Sequence, residues 1–246
     1  MNDLRYIEGK NPVKEALKSS VNIHEVYISN ESRDKNINEI IAMCKEKGIL
    51  FKFVDKNKLN KMSNTKNPQG VIALASEFEF CDVDDILNEA ERLNEKPFIL
   101  ILDNITDPQN FGAILRSAHL TGVHGVIIEK RNSSPITPIV EKSSAGALEF
   151  VNIARVTNLN RTIELLKQKG LWIYAMDSQA NKHVYECEFN DPIGVIIGSE
   201  GKGISRLLLE HADFIVKIPQ KGKINSFNAS VAAGIVLYEI LKQRLQ

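Results

Sequence analysis

The order of apolar and polar positions changes character about a third of the way along the chain. Early on, helical and extended patterns alternate over short distances. Asn11 and Pro12 read as a cap and first-turn pair ahead of Val13, Ala16 and Leu17, and His24 to Ser29 alternates Val26 and Ile28 as a half-buried strand does. Ile37, Ile40, Ile41 and Cys44 then share one helical face, with Gly48 where a helix terminator belongs. Ile49 to Val54 and Val71 to Ala75 add extended segments, so residues 1–76 predict a small α/β domain. From Phe98 onward the strands become continuously apolar: Phe98 to Leu102, Gly125 to Ile128, Leu171 to Ala175, Ile193 to Ile197 and Phe214 to Ile218. Helical patterns lie between most of them. Such alternation predicts a parallel sheet covered by helices on both faces over residues 98–246.

Charge sharpens the division. The 246 residues are neutral overall, with 31 Lys and Arg against 31 Asp and Glu, yet residues 1–75 hold 13 basic and 9 acidic side chains while residues 76–97 hold 2 and 8. The segment 77–97 therefore reads as an acidic linker, carrying a helix with Val83, Ile86, Leu87 and Ala90 as its apolar stripe and ending at Pro97. With 43% hydrophobic and 25% charged residues, the composition excludes long disorder, collagen-like repeats and a disulfide scaffold. Cys44, Cys81 and Cys187 are odd in number and widely spaced, which favours a reducing, cytoplasmic setting and disfavours a zinc site. No run approaches the roughly 18 apolar residues of a membrane span, and the chain begins with charged residues, so neither export nor a membrane partner is expected.

Open parallel sheets bind ligands beyond the carboxyl ends of their strands, which directs attention to three loops. After Phe98 to Leu102 comes a polar loop feeding a helix, with Asn110 near its start and Arg116 about one and a half turns later. An Asn cap and a solvated Arg are the plain account of these two, although Arg116 stands among Leu115, Ser117 and Ala118. The second loop runs from Ile197 and Gly198 through Glu200, Gly201 and Gly203. It fits neither the Walker nor the dinucleotide fingerprint, so an ATPase or a dehydrogenase loses support. Its glycines suit either close approach of a ligand or a tight turn. The third passes from Ile218 through Gly222 to Ser226, Phe227 and Asn228, where Ser226 reads as a helix cap and leaves Asn228 for another task. The helix beyond it, with Val231, Ile235, Leu237, Tyr238 and Leu241, carries apolar surface for the sheet or for a second subunit. His119 and His124 make a poor metal pair, and no metal is expected. Trp172 and the small-residue run Lys142 to Ala147 read as core packing.

Taken together, the three loops and the Lys142 to Ala147 run resemble the motifs of the SpoU, or TrmH-like, ribose methyltransferases of the SPOUT superfamily. The resemblance covers nearly all of residues 98–246. Residues 1–76 resemble the small substrate-binding domain of the same family, as in the RlmB-type guanosine methyltransferases of bacterial large-subunit ribosomal RNA.

The resemblance implies a SPOUT sheet with a trefoil knot at its C-terminal end, a homodimer formed through that domain, S-adenosylmethionine as cofactor and RNA as partner. Position by position, it assigns cofactor contacts to Ile197, Gly198, Ile218 and Phe227, and catalytic roles to Asn110, Arg116, Glu200, Ser226 and Asn228. The implied reaction methylates a ribose 2′-hydroxyl, of a guanosine in large-subunit ribosomal RNA. The same chemistry on transfer RNA, or an RNA-binding protein that keeps the fold without turnover, are the alternatives. Phe227 and Ala229 replace the family's usual Leu and Val, and Pro68 stands where relatives often have His. The basic side chains Arg5, Lys10, Lys14, Lys52, Lys56, Lys58, Lys61 and Lys66 are candidates for gripping an RNA backbone.

Overall fold

The computed structural model describes residues 4–222 and 226–246. They form two compact units: residues 4–79 with 136–150, and residues 80–135 with the described part of 151–246. The first begins with β1 (Leu4–Glu8), α1 (Lys10–Lys18), β2 (Ile23–Ser29), α2 (Lys35–Glu46), β3 (Leu50–Val54), α3 (Lys56–Met62) and β4 (Val71–Ser76). The strands lie in the order β1-β4-β2-β3, with β2 and β3 parallel and the other pairs antiparallel. Period-two alternation sends Ile7, Val26, Ile28, Ala73 and Ala75 to one face, where they meet Val13 and Leu17 of α1 and Ile37 and Ile40 of α2. On the opposite face Val54 and Ile72 receive Leu59 of α3.

Two details depart from the sequence pattern. Gly9, at φ +103°, precedes α1, so Asn11 lies inside the helix instead of capping it. Neither β1 nor α3 was announced, because each has few fully apolar positions and α3 buries Leu59 alone.

The second unit starts with α4 (Val83–Arg92), β5 (Phe98–Asp103), α5 (Pro108–Leu120) and β6 (Gly125–Glu129). The chain then gives α6 (Pro138–Ser144) to the first unit. It continues with β7 (Ile153–Val156), α7 (Leu159–Gln168), β8 (Trp172–Met176), β9 (Lys182–His183), β10 (Ile193–Gly198), α8 (Arg206–His211), β11 (Phe214–Lys217) and α9 (Ala229–Arg244). A seven-stranded sheet in the order β7-β6-β5-β10-β8-β11-β9 results, parallel at every pairing. Ile99, Ile101, Ile127, Ile173 and Ile196 of the sheet pack with Ile163 and Leu166 of α7 and Ile86 of α4.

This division differs from the expected boundaries of 1–76, 77–97 and 98–246. The acidic segment is no free tether: Ile86 and Ala90 are fully buried, and a Cβ on Gly125 would lie 2.5 Å from Ile86. Its carboxylates face solvent while its apolar stripe seals the sheet, as an amphipathic helix requires. Trp172 also departs from its expected burial. It is 48% exposed at the start of β8, with its ring 5.8 Å from that of Phe214. Among the described residues no helix is long and apolar enough to cross a membrane.

Candidate active site

Because β5, β8, β10 and β11 run parallel, Asp103, Met176, Gly198 and Lys217 end on the same edge of the sheet. A cleft of about 420 Å³ opens there, lined in part by Met176, Asp177, Ser178, Ile197, Gly198, Glu200, Ile218, Ser226 and Phe227. That volume suits a ligand of nucleoside size. All four residues expected to hold the cofactor line the cleft. Phe227 stands at its margin, 39% exposed.

Gly198 is required by the chain's own backbone. A Cβ there would lie 2.3 Å from the carbonyl carbon of Gly203 and 2.5 Å from the nitrogen of Ile204. The tight turn expected of this glycine is present at Gly198. The strand doubles back at once: the Gly203 amide donates to the Ser199 carbonyl at 2.9 Å, and Gly201 and Gly203 take positive φ angles of 82° and 65°. Asp103 anchors the returning limb. Buried at 2% exposure, its carboxylate accepts from the Ser205 amide at 2.7 Å and from Asn104 Nδ2 at 2.6 Å.

The three loops converge on Glu200. Its Oε1 accepts from Asn110 Nδ2 at 3.0 Å, from the Ala229 amide at 3.2 Å and from Asn228 Nδ2. Asn228 Nδ2 also reaches Asn110 Oδ1 at 2.9 Å. Residues 118 positions apart in sequence are thereby tied into one network.

Each amide is free for this because of how its helix is capped. Asp107 is the N-cap of α5, accepting from the Asn110 amide at 2.7 Å, so the Asn110 side chain is not consumed by capping. At α9 the expectation is reversed. Asn228, not Ser226, is the N-cap: its Oδ1 accepts from the amides of Ser230 and Val231, while its Nδ2 serves Glu200 and Asn110. An Asn performs both tasks because it carries an acceptor and a donor on one carbon. Ser226 is exposed and lines the cleft.

Arg116 is not drawn into this network. It lies on the exposed side of α5, six residues beyond Asn110 and so on a different helical face, and makes no recorded hydrogen bond or ion pair among the described residues. Sequence reasoning passed over Asp103, Asp107, Asp177 and Ser178. The signal was available for Asp103, Asp177 and Ser178, which follow apolar strands at the carboxyl edge. Among the described residues no group of three or more His, Cys, Asp or Glu side chains is placed to hold a metal ion. Burial pushes the thiols of Cys44 and Cys81 up to about 11, so both are poor nucleophiles at neutral pH.

The basic residues of the first unit sort into two groups. Arg5 is engaged internally, bonding Glu141 at 2.5 Å and Glu149 at 2.7 Å. Burial opposes its charge, yet the two carboxylates hold the guanidinium above its ordinary range. That corrects the expectation that Arg5 grips RNA, since its Nε, Nη1 and Nη2 each donate to a protein acceptor. Lys10 meets Asp34, Lys14 meets Glu39, Lys52 meets Glu25 and Lys56 meets Glu31. Lys58, Lys61 and Lys66 are exposed and have no recorded ion pair among the described residues.

Comparison with known proteins places this architecture. The sequence model of the SpoU rRNA Methylase family matches residues 97–238, and the model described as RNA 2'-O ribose methyltransferase substrate binding matches residues 6–81. Over 239 residues the chain is 41% identical to the TrmH-family protein YacO of Bacillus subtilis (strain 168), named for tRNA/rRNA methyltransferase activity, covering 97% of this chain and 96% of that one. A crystal structure of an RNA 2'-O ribose methyltransferase has a TM-score of 0.81 at 26% identity, covering 100% of this chain and 90% of the other. The SpoU methyltransferase AviRb from Streptomyces viridochromogenes, solved with AdoMet, has a TM-score of 0.82 and covers 98% and 91%. At 23% identity that likeness is one of fold.

Proposed function

The chain belongs to the SpoU rRNA Methylase family, and from that premise we propose that it transfers the methyl group of S-adenosylmethionine to a ribose 2′-hydroxyl of RNA, on a guanosine of large-subunit ribosomal RNA. The observation that carries this reading is the Glu200 network, which joins three distant loops at the cleft. The ribosomal target is supported by the description of the matched family, and an RNA substrate by the substrate-binding match over residues 6–81.

Bound in the cleft, S-adenosylmethionine supplies an electrophilic methyl group on a sulfonium. Ile197, Ile218 and Phe227 offer apolar contact for its adenosine, and Gly198 keeps the loop folded tightly enough for the cleft to exist. A ribose hydroxyl is a weak nucleophile, so alignment and stabilisation of negative charge on its oxygen are what the protein must add. Asn110, Glu200, Ser226 and Asn228 orient the ribose and its phosphate by hydrogen bonds. Arg116 acts as a fixed cation beside the reacting oxygen, whose proton leaves to the neighbouring phosphate. The active form is a homodimer through the second unit. In support, α9 is apolar on two sides: Ala233, Val236 and Ile240 are buried, while Val231, Ile235 and Tyr238 repeat along an exposed stripe. The trefoil knot implied by the sequence belongs to the same reading.

Incubation with S-adenosylmethionine labelled in its methyl group and a large-subunit ribosomal RNA transcript tests the reaction. Label in an alkali-resistant dinucleotide beginning with guanosine is expected. Label on a base, or none in any RNA, overturns the reading, and ribose label confined to transfer RNA replaces its substrate. Arg116→Ala is expected to lower single-turnover rate by more than about tenfold with cofactor affinity nearly unchanged. A near-normal rate removes Arg116 from the mechanism.

A further inference from the structure

The first unit contains a stretch of unusual charge. Residues 56–76 hold four lysines and no acidic residue. Of those lysines, Lys56 is paired with Glu31 at 3.1 Å, whereas Lys58, Lys61 and Lys66 have no recorded ion pair among the described residues. Lys58 and Lys61 stand three apart on α3, both exposed while Leu59 alone is buried, and so share a helical side. Lys66 follows in the loop to β4 at φ +59°, a left-handed conformation that a Lys adopts only where the surroundings impose it.

The surroundings that impose it are visible. Glu8, 1% exposed, accepts from Ser63 Oγ at 2.6 Å, the Asn64 amide at 2.6 Å, the Thr65 amide at 3.2 Å and Thr65 Oγ1 at 2.6 Å. The far end of the loop is fixed as well. Gln69 Oε1 accepts from the Lys10 amide at 3.3 Å, and the Gly70 carbonyl accepts from the Ser29 amide at 2.9 Å. The loop is therefore set before any ligand arrives, which reduces the ordering cost of binding. Glu25, whose charge Lys58 also feels, is already engaged by Lys52 and Tyr27.

We infer that α3 and the Ser63–Lys66 loop form the phosphate-contacting surface of the first unit, with Lys58, Lys61 and Lys66 each meeting the backbone of the RNA substrate. This rests on the function proposed above and narrows it: of eight basic candidates, five are engaged by protein carboxylates and three remain for the polyanion. Nothing in the arrangement reads bases. The surface supplies affinity, while selection of the nucleotide belongs to the cleft.

The test is RNA binding by the full chain over a range of KCl concentrations, for wild type, K58Q/K61Q/K66Q and K45Q/K47Q. The ribosomal RNA transcript is the probe, and methyl transfer is assayed alongside. The triple variant is expected to bind roughly tenfold or more weakly near 0.1 M salt, with the slope of log affinity against log salt shallower by about 2, the change that losing three phosphate contacts produces. Its KM for RNA rises in parallel, and K45Q/K47Q stays within about twofold of wild type. If wild type methylates RNA but the triple variant keeps the wild-type affinity and slope, the surface is wrong and the proposed function stands. If wild type neither binds nor methylates RNA, both are wrong. A loss of affinity shared equally by K45Q/K47Q also overturns the assignment, because it makes the effect one of net charge.

Discussion

Glu8 and Glu200 each gather hydrogen bonds from a loop, and they do so in opposite settings. Glu8 lies at the end of β1, 1% exposed, and both of its oxygens accept from one short segment, Ser63 to Thr65. Glu200 is exposed at a cleft, and a single oxygen collects donors from α5 and from the start of α9. A buried carboxylate whose partners all lie in one short segment fixes the shape of that segment. An exposed one whose partners come from two separate loops links parts of a site, and its second oxygen has no recorded hydrogen bond among the described residues. Glu141 is a third case. One guanidinium, Arg5, serves both Glu141 and Glu149, and burial pushes Glu141 up to about 7. Its Oε2 has no recorded hydrogen-bond partner, consistent with a carboxyl that resists ionisation.

The strongest test of this contrast is Glu8→Ala. Four donors lose their acceptor in a buried place, so a loss of about 3 kcal/mol in urea unfolding is expected, together with faster amide exchange at Asn64 and Thr65. Unchanged exchange at those amides means that Glu8 does not hold the loop.

Next comes a pH effect at Glu141. The folded protein retains a proton there up to about pH 7, whereas the unfolded chain loses it near pH 4.5, so folded protein binds more protons between these values. Stability accordingly falls as pH rises across that window and levels off above it, by about 3 kcal/mol in all, and Glu141→Gln removes the decline. Denaturation curves at pH 5, 6, 7 and 8 for the two proteins measure it. Parallel profiles would place Glu141 among ordinary carboxylates.

The smallest structural effect is expected at Glu200. Glu200→Gln should change unfolding free energy by less than about 1 kcal/mol, since the site is exposed, yet slow methyl transfer by about tenfold or more through misplacement of Asn110 and Asn228. Equal losses of stability in Glu200→Gln and Glu8→Ala would erase the distinction between them.

Much of the architecture was legible beforehand. The five apolar runs of the C-terminal half appear as strands within a residue or two of their expected limits, because strands buried on both faces leave little room for polar residues. Elements with thin apolar signals were not legible. β7 is four residues long, β1 mixes Arg5 and Glu8 with Tyr6 and Ile7, and α3 buries Leu59 alone. At the site, residue type and loop position singled out Asn110 and Asn228 and the family resemblance added Glu200, but not which cap each helix used. Capping depends on which acceptor the backbone geometry brings to the free amides, and Asp107 and Asn228 won over nearer-seeming choices.

By itself, the sequence determined the two-part organisation, the parallel sheet and the three loops that carry polar groups past its strands. Those follow from hydrophobic period and from glycine, proline and asparagine placement, which act over a few residues. Only the tertiary structure decided that Arg5 is engaged internally while Lys58, Lys61 and Lys66 remain available, that Gly198 yields to its own chain, and that Glu200 ties Asn110 to Asn228. Each depends on distances between residues far apart in the chain, and electrostatic and hydrogen-bond energies are set by such distances rather than by composition.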